Sequence, residues 1–452
     1  MKIKKLKLKN FRAFASFEGE FQKDINVLIG LNGHGKTSLL DAISVAYGQF
    51  FTAIGTAVDR GINDSEIHLK KFRLDDTYTM EHQFDVEVEC ECFGSSKYEF
   101  PGHWMRKRTS IKGRTTQVKE LKDIGKALQN EVQNNSNVPL PVFGFYGTGR
   151  LWKQKSLSSK KVESLSSSSR LEGYRNCMDP ESSYSAFAKW LKDETIADYE
   201  RRLSIIERSG FNANSVISGN SVRGRLLKAL ENAVNSVLEP SGWTNIRYSA
   251  TIGDIVASHH EQGDIPVSSL SDGVRNMIGL VSDIAYRCIR LNPQLESDAT
   301  LETEGVVLID EVDMHLHPQW QLNVVNSLRK AFPNIQFIVT THSPQVIGGV
   351  SPKNISLIRK QGNDYFLESP KQAYGLSSND ILDEIMSQSS QKTSLSRNEH
   401  VETRIREIQN LIEDTEYETA ERKIEALKLE LNGDIPELIE ASISIDLSKW
   451  NY

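Results

Sequence analysis

Hydrophobic and polar positions along this chain change period several times, and each change marks an element. "DINVLIG" (24–30) is almost unbroken apolar, the pattern of a strand buried on both faces. Behind it, "SLLDAISVAYGQF" sets Leu39, Leu40, Ile43, Ala46 and Tyr47 at helical spacing. Residues 1–30 are expected to form two strands, the first alternating lysine with apolar residues in "MKIKKLKLKNFRAF". From 78 to 120 the period falls to two. "FDVEVECEC", "KYEFPGHWMRKRTS" and "GRTTQVKE" are expected to pair as an antiparallel sheet, turning at "FGSSK" and "IKGR". "PVFGFYGTGRLW" (141–152) predicts a further strand ending at a glycine turn and Arg150.

Residues 153–170 are rich in serine and lysine with little to bury, and read as a linker. A helical period holds from 184 to 238, strand-like segments follow in "NIRYSATIGDIV", and a helix follows "SLSDG" (269–273). "GVVLIDE" and "IQFIVTTHS" are two more buried strands around a helix predicted over 317–331. Strand, helix, strand in that order is a doubly wound α/β signal. Beyond 397, Ile405, Ile408, Leu411 and Ile412, then Ala420, Ile424, Leu427 and Leu431, predict two amphipathic helices in a hairpin. The expected division is 1–152, a lobe with the glycine-rich loop and antiparallel sheet; 153–260, linker and helical insertion; 261–395, a second α/β lobe; and 396–452, the helical hairpin. Residues 399–440 hold 13 Asp/Glu against 5 Lys/Arg, so that hairpin is strongly acidic.

Composition narrows the class. Apolar residues make up 38% and charged residues 25%, as in ordinary soluble domains. No apolar run approaches the ~20 residues that cross a bilayer, and the N-terminus lacks a signal-peptide core, so a cytoplasmic protein is expected. The four cysteines are too scattered for a disulfide framework. Cys90 and Cys92 share one strand face, which suits packing better than zinc. With a net charge of -6, nucleic-acid contact has to come from a local patch. The candidate is the basic hairpin Arg106, Lys107, Arg108, Lys112 and Arg114, with Arg106 and Arg108 on one face. The alternative is a solvated edge that resists aggregation.

The candidate chemistry starts at Gly30. The stretch Gly30-Leu31-Asn32-Gly33-His34-Gly35-Lys36-Thr37, with Ser38 behind it, fits the P-loop pattern at every fixed place. Glycines let successive N–H groups converge on phosphate oxygens, and the following helix N-terminus adds positive charge. Lys36 would reach the β- and γ-phosphates of ATP, and Thr37 would offer its hydroxyl to Mg²⁺. Asp310 and Glu311, at the tip of "GVVLIDE", suit the metal shell and the attacking water respectively. His342 ends the next buried strand, where neighbouring tips share a crevice. It reads either as a hydrogen-bond donor to a γ-phosphate or as a satisfied surface histidine. Ser271 and Gly273 form a Ser-x-Gly turn at a helix N-terminus, a second and weaker anion cradle.

Together these pieces resemble the ATP-binding-cassette ATPases of the structural-maintenance-of-chromosomes and RecF-like group. The resemblance implies a P-loop α/β head: a mixed, doubly wound sheet plus an antiparallel lobe and a helical insertion. It implies a homodimer that binds two ATP, each P-loop facing the partner's signature turn. On this chain Lys36 and Thr37 take phosphate and Mg²⁺, Asp310 and Glu311 take metal and water, and His342 is the switch histidine. Asp313 would cross the dimer seam, and Ser271 and Gly273 would act in trans. The opening strand, "IDEVDMHLHPQWQ" and "YGTGRLW" look like the ATPase domains of overcoming-lysogenization-defect proteins. In that resemblance His315 and His317 belong to a loop rather than to a metal site. The sequence departs from the family at Asp272, where transporters carry glycine, which suggests slow hydrolysis with ATP binding as the main switch. The long coiled coil and the nuclease domain of those relatives are missing, so the chain is not expected to be a nuclease itself. The architecture is most similar to the PtuA-type ATPase subunit of the Septu anti-phage system, which also occurs with retrons and works with an HNH-type nuclease. That resemblance implies an anti-phage ATPase governing a separate nuclease. The alternatives are a DNA-repair or chromosome-maintenance head that binds DNA directly, and, less well matched, a transporter ATPase. The acidic hairpin is expected either to pack on its own head or dimer, or to dock a basic partner.

Overall fold

A computed structural model describes residues 1–55, 60–74, 77–94, 100–134, 137–150, 169–180, 184–209, 221–386 and 398–450. The expected linker at 153–170 falls almost wholly outside the described residues, as does the side chain of Arg150. The chain divides into two compact units, Met1–Gly375 and Leu376–Tyr452.

The first unit is built on a ten-stranded sheet in the order β7-β6-β1-β2-β15-β14-β3-β13-β12-β8. Five strands form its parallel block: β14 (Ile355–Gln361), β3 (Ile25–Ile29), β13 (Ile335–Thr340), β12 (Gly305–Ile309) and β8 (Val142–Tyr146). Every residue of β3, β8, β12 and β13 is buried, which is why these segments read as continuous apolar runs. The other wing holds β1 (Ile3–Phe11), β2 (Phe14–Glu20), β6 (Val86–Cys92), β7 (His103–Arg108) and β15 (Asp364–Glu368). Neighbours there run antiparallel, except that β15 lies parallel to β2. Two smaller sheets complete the strands. One is the hairpin β4 (Leu69–Leu74) with β5 (Thr77–His82). The other is the meander β9 (Trp243–Ser249), β10 (Asp254–His259) and β11 (Gly263–Pro266). This mixed sheet with an antiparallel wing is the α/β P-loop architecture expected from the sequence.

Helix α1 (Lys36–Ala53) leaves the glycine-rich loop and is buried along nearly its whole length. Its far end packs Phe50 and Phe51 edge-on against Tyr174, with Phe51 also on Phe143. Truncating either ring would cost about 3–5 kcal/mol. Helix α2 (Lys119–Gln133) packs on α1. Helices α3 (Ser185–Ser209) and α4 (Val222–Leu238) supply the helical insertion. Helix α5 (Asp272–Leu291) lies against α4, and α6 (Val324–Ala331) packs on α4 as well.

Four expectations need correcting. Residues 1–30 form three strands rather than two. "GRTTQVKE" makes no strand. It meets β7 through Thr116, whose N–H donates to the Lys107 carbonyl, and it has no apolar alternation to hold a longer ladder. The helix at 317–331 is interrupted: a single turn, Pro318–Gln321, precedes α6, and the backbone carbonyl of Leu322 lies where a Cβ on Gly349 would come within 2.1 Å.

The fourth concerns the second unit, which is a bundle of three helices rather than a hairpin: α7 (Glu399–Glu413), α8 (Tyr417–Leu431) and α9 (Pro436–Trp450). Leu438, Ala441 and Ile445 of α9 complete a core with Ile405, Ile408, Ala420, Ile424 and Leu427. A two-helix hairpin would leave that apolar stripe uncovered.

Candidate functional site

The parallel block sets three strand tips side by side. In register, Ile309 of β12 pairs with Val339 of β13, and Val339 pairs with Val27 of β3. The glycine-rich loop leaves β3, Asp310 and Glu311 leave β12, and Thr340, Thr341 and His342 leave β13. All the strand-borne candidates therefore converge at the C-terminal ends of neighbouring interior strands.

Within the loop, Gly33 and Gly35 take φ of 80° and 87°, a region open to glycine at little cost. Space around Gly33 is open, whereas a Cβ on Gly35 would lie 2.4 Å from the Phe14 ring. The first residue of β2 thus buttresses the loop from behind. Asn32, Gly33 and Thr37 are exposed, His34 is half-buried, and Ser38 is buried. The Lys36 ammonium spans the loop, donating to the carbonyls of Gly30 (2.8 Å) and Leu31 (3.2 Å). Burial lowers its pKa from the usual lysine value, while Asp310 and Glu311 partly oppose the shift.

Asp310 is 6% exposed and takes a hydroxyl on each carboxylate oxygen: Thr37 Oγ1 at 2.8 Å and Thr340 Oγ1 at 2.6 Å. Thr340 Oγ1 also accepts the Glu311 N–H at 2.8 Å. Glu311 sits at φ 48°, the left-handed region that costs a non-glycine residue energy and is concentrated at functional sites. Thr341 Oγ1 donates to Asp313 Oδ1, holding that carboxylate on the following turn. Hydroxyl and carboxylate oxygens side by side fit a hard cation such as Mg²⁺, which takes few protein ligands and fills its shell with phosphate and water. Among the described residues no group of three His, Cys, Asp or Glu side chains is placed to hold a metal without such help. His317 Nδ1 instead accepts the Gln319 N–H at the start of a helical turn.

His342 is partly buried. Its pKa is lowered from 6.5 chiefly by burial and next by Lys36, with Glu311, Asp313 and Asp310 pulling the other way. It therefore binds fewer protons folded than unfolded in the window just below 6.5. Stability of the native chain should fall relative to His342→Gln as pH drops through 6.5, and the two should run parallel above it. Thermal melts at about pH 5.5 and about pH 7.5 check this.

Ser271 and Asp272 are exposed at the start of α5, and Ser271 occupies the N-cap without a side-chain capping bond. Gly273 is fixed from behind: a Cβ there would lie 2.2 Å from the His315 carbonyl oxygen. Asn276 Nδ2 reaches the Met314 carbonyl at 3.4 Å. The turn therefore rests on the loop that follows Glu311. Asp272 is paired with Arg275 one turn on, so its carboxylate is not a bare negative charge at the cradle.

Sequence reasoning missed Thr340, Thr341, Phe14 and Arg275. The two threonines passed as strand-forming residues, although adjacent hydroxyls at the tip of a buried strand were a usable signal. Arg275 stood three residues beyond Asp272.

The proposed nucleic-acid hairpin is overturned at its two central positions. Arg106 and Arg108 do share a face, but it is the inner one. Arg106 is 0% exposed and donates to the carbonyls of Val45 (2.8 Å) and Arg60 (2.7 Å). Arg108 donates to the Ile62 carbonyl and pairs with Asp64. Lys107, on the other face, is held by Asp85 (2.6 Å) and Glu87 (3.0 Å). Gly48 makes the burial possible, because a Cβ there would meet Arg106 at 2.8 Å.

A family model described as "AAA domain" matches residues 5–231, half of the 452. The chain belongs to the AAA domain family. A second model, "AAA domain, putative AbiEii toxin, Type IV TA system", matches residues 155–348 of this AAA protein. It is an ATPase related to the retron ATPases and to PtuA. It is similar to the Retron Vc95 probable ATPase of Vibrio cholerae serotype O1 biovar El Tor, 27% identical over 84% of this chain and 78% of that one. It is similar to the Retron Ec83 probable ATPase of Escherichia coli, 24% identical over 100% of this chain and 88% of that one. A stretch of 92 residues is 41% identical to the Septu protein PtuA of Bacillus mycoides (strain KBAB4), covering 20% of this chain and 12% of PtuA. Among solved structures, the SMC head domain from Thermotoga maritima aligns at 14% identity and a TM-score of 0.44, covering 82% of this chain and 100% of that one.

Proposed function

We propose that this AAA protein is the ATP-gated subunit of an anti-phage defence complex. Two copies close around two ATP molecules, and the closed pair governs a separate nuclease of the HNH type. The observation that carries the dimer is the turn at Ser271. Its hydroxyl and the N-terminus of α5 face solvent without a capping bond, while Gly273 anchors the turn on the loop behind Glu311. An anion cradle left open in its own chain suits a phosphate held by another copy.

In each site the loop from Asn32 to Ser38 cradles the phosphates, and Lys36 exchanges its two carbonyl contacts for phosphate oxygens. Thr37 and Asp310 would hold Mg²⁺, which supplies positive charge against the phosphates. Glu311 orients the attacking water and accepts its proton. His342, neutral at physiological pH, donates one ring N–H toward the γ-phosphate. Asp313, held by Thr341, faces the seam. Arg275 offsets Asp272, so the aspartate in the signature does not by itself repel the partner's nucleotide.

Support for a protein partner comes from the C-terminal bundle. Ile439, Ile443 and Leu447 of α9 recur every four residues and are exposed, on a unit whose residues 399–440 hold 13 Asp/Glu against 5 Lys/Arg. An apolar stripe in an acidic surround suits a basic protein with an apolar anchor.

Mixing two dead variants tests the shared site. Lys36→Ala and Ser271→Arg should each lack turnover alone. Mixed, they should recover turnover that neither has alone, because each mixed dimer holds one intact site. Recovery absent at every mixing ratio would place both residues in one chain's site.

A further inference from the structure

The hairpin of β4 and β5 pairs with no other strand among those described, and every side chain described on its strands is exposed. Asp75 and Asp76, which join the strands, lie outside the described residues. A two-stranded hairpin standing in water is marginally stable. This one nevertheless exposes Leu69, Phe72, Tyr78 and Met80 at 41–58%. Such a cluster marks a surface that meets something else.

Register sorts its side chains. Leu69 opposes His82, Lys71 opposes Met80, and Arg73 opposes Tyr78. These six share one face, which carries two permanent cations, an imidazole and a phenol ring, and no carboxylate. Lys71 Nζ lies 4.0 Å from the Tyr78 ring centroid, so charge and ring are already interleaved. The opposite face repeats the theme more weakly, with Lys70 Nζ 5.4 Å from the Phe72 ring but Glu81 across from Lys70. Residues 69–82 are formally neutral, with Lys70, Lys71 and Arg73 against Asp75, Asp76 and Glu81, so the excess of cations belongs to this one face, where Lys71 and Arg73 meet no carboxylate and favour an anionic partner.

We infer that this ribbon binds single-stranded nucleic acid, with Lys71 and Arg73 along the phosphates and Tyr78 stacked on an unpaired base. A duplex would satisfy the cations but keep its bases stacked, leaving Leu69, Tyr78 and Met80 against water. A single strand offers both charge and ring faces. Phosphate charge and base stacking are common to both sugars, so DNA and RNA strands should bind alike. The ribbon takes over the role expected of Arg106 and Arg108, and it acts whether or not the head dimerises.

Fluorescence anisotropy of the full chain with labelled oligo-dT, oligo-U and a blunt DNA duplex tests this. The two single strands should bind within about threefold of each other, and the duplex at least about tenfold more weakly. Lys71→Glu with Arg73→Glu should weaken single-strand binding at least about tenfold and flatten its salt dependence. Tyr78→Ala should weaken it about tenfold, the size of one lost stack. ATP turnover should be unchanged in both variants, showing that the fold is intact. The inference is overturned if the native chain binds no single strand, if neither variant weakens binding, or if the duplex binds as tightly as oligo-dT. A clear preference for oligo-U would overturn the sugar-blind face.

Discussion

Glu311→Gln lowers kcat for ATP hydrolysis by about 10²–10⁴-fold, the usual contribution of a positioned general base, and leaves ATP affinity close to native. Glutamine keeps the shape of the side chain at φ 48° but cannot take a proton from water. The Thr340 hydroxyl still receives the backbone N–H of residue 311, so the strand tip does not move. Phosphate release measured beside calorimetric ATP binding separates the two effects. Asp310→Ala should behave differently. It removes the acceptor for both Thr37 and Thr340, so binding and turnover should be lost together. Equal losses of kcat in Glu311→Gln and Glu311→Ala, with affinity also reduced, would point to a structural carboxylate.

Arg287→Ala is expected to destabilise the first unit by about 3–5 kcal/mol, the cost of leaving a buried carboxylate without its partner. Arg287 and Asp283 are both almost fully buried on α5, with Nε 2.7 Å from Oδ2. The guanidinium also donates to the carbonyls of Gly173 (2.9 Å) and Arg175 (3.0 Å). Tyr146 at the end of β8 gives its hydroxyl to the same Asp283 oxygen at 2.7 Å. The Tyr146 carbonyl in turn accepts the N–H of Asp310 at 2.8 Å. One buried network therefore joins the helix that presents Ser271 to the strand tip that presents Asp310. Arg287→Ala should lower the denaturation midpoint and, at temperatures where it stays folded, weaken turnover. Tyr146→Phe removes only one hydroxyl and should cost about 1–3 kcal/mol, since Asp283 keeps Arg287. Urea unfolding followed by tryptophan fluorescence checks both. A Tyr146→Phe loss as large as that of Arg287→Ala would mean the guanidinium is not the partner that holds Asp283.

The parts of this molecule legible in the sequence are those whose physics is local. Strands β3, β12 and β13 announced themselves because burial on both faces demands unbroken apolar residues. The P-loop did so because phosphate binding demands glycines at set positions before Lys36 and Thr37. Elements fixed by distant partners were harder. Strands β14 and β15 are held by β3 and β2, more than 300 residues earlier in the chain. Arg106 and Arg108 looked solvated because charge usually is. Here an inner-face guanidinium satisfies carbonyl groups at Val45, Arg60 and Ile62. Helix α9 was hidden because its apolar residues point two ways, Leu438, Ala441 and Ile445 into the bundle and Ile439, Ile443 and Leu447 out of it. No single-faced period survives that split. The signature turn was read at Ser271 and Gly273, but the charge balance at Asp272 depended on Arg275.

Mass photometry of Glu311→Gln with and without ATP and Mg²⁺ reads the ATP-driven dimer itself. A 50.9 kDa species is expected without nucleotide and a species of twice that mass with it, abolished by Ser271→Arg on the same background. A chain that binds ATP yet keeps its single-copy mass, or that doubles equally well with Ser271→Arg, would contradict it.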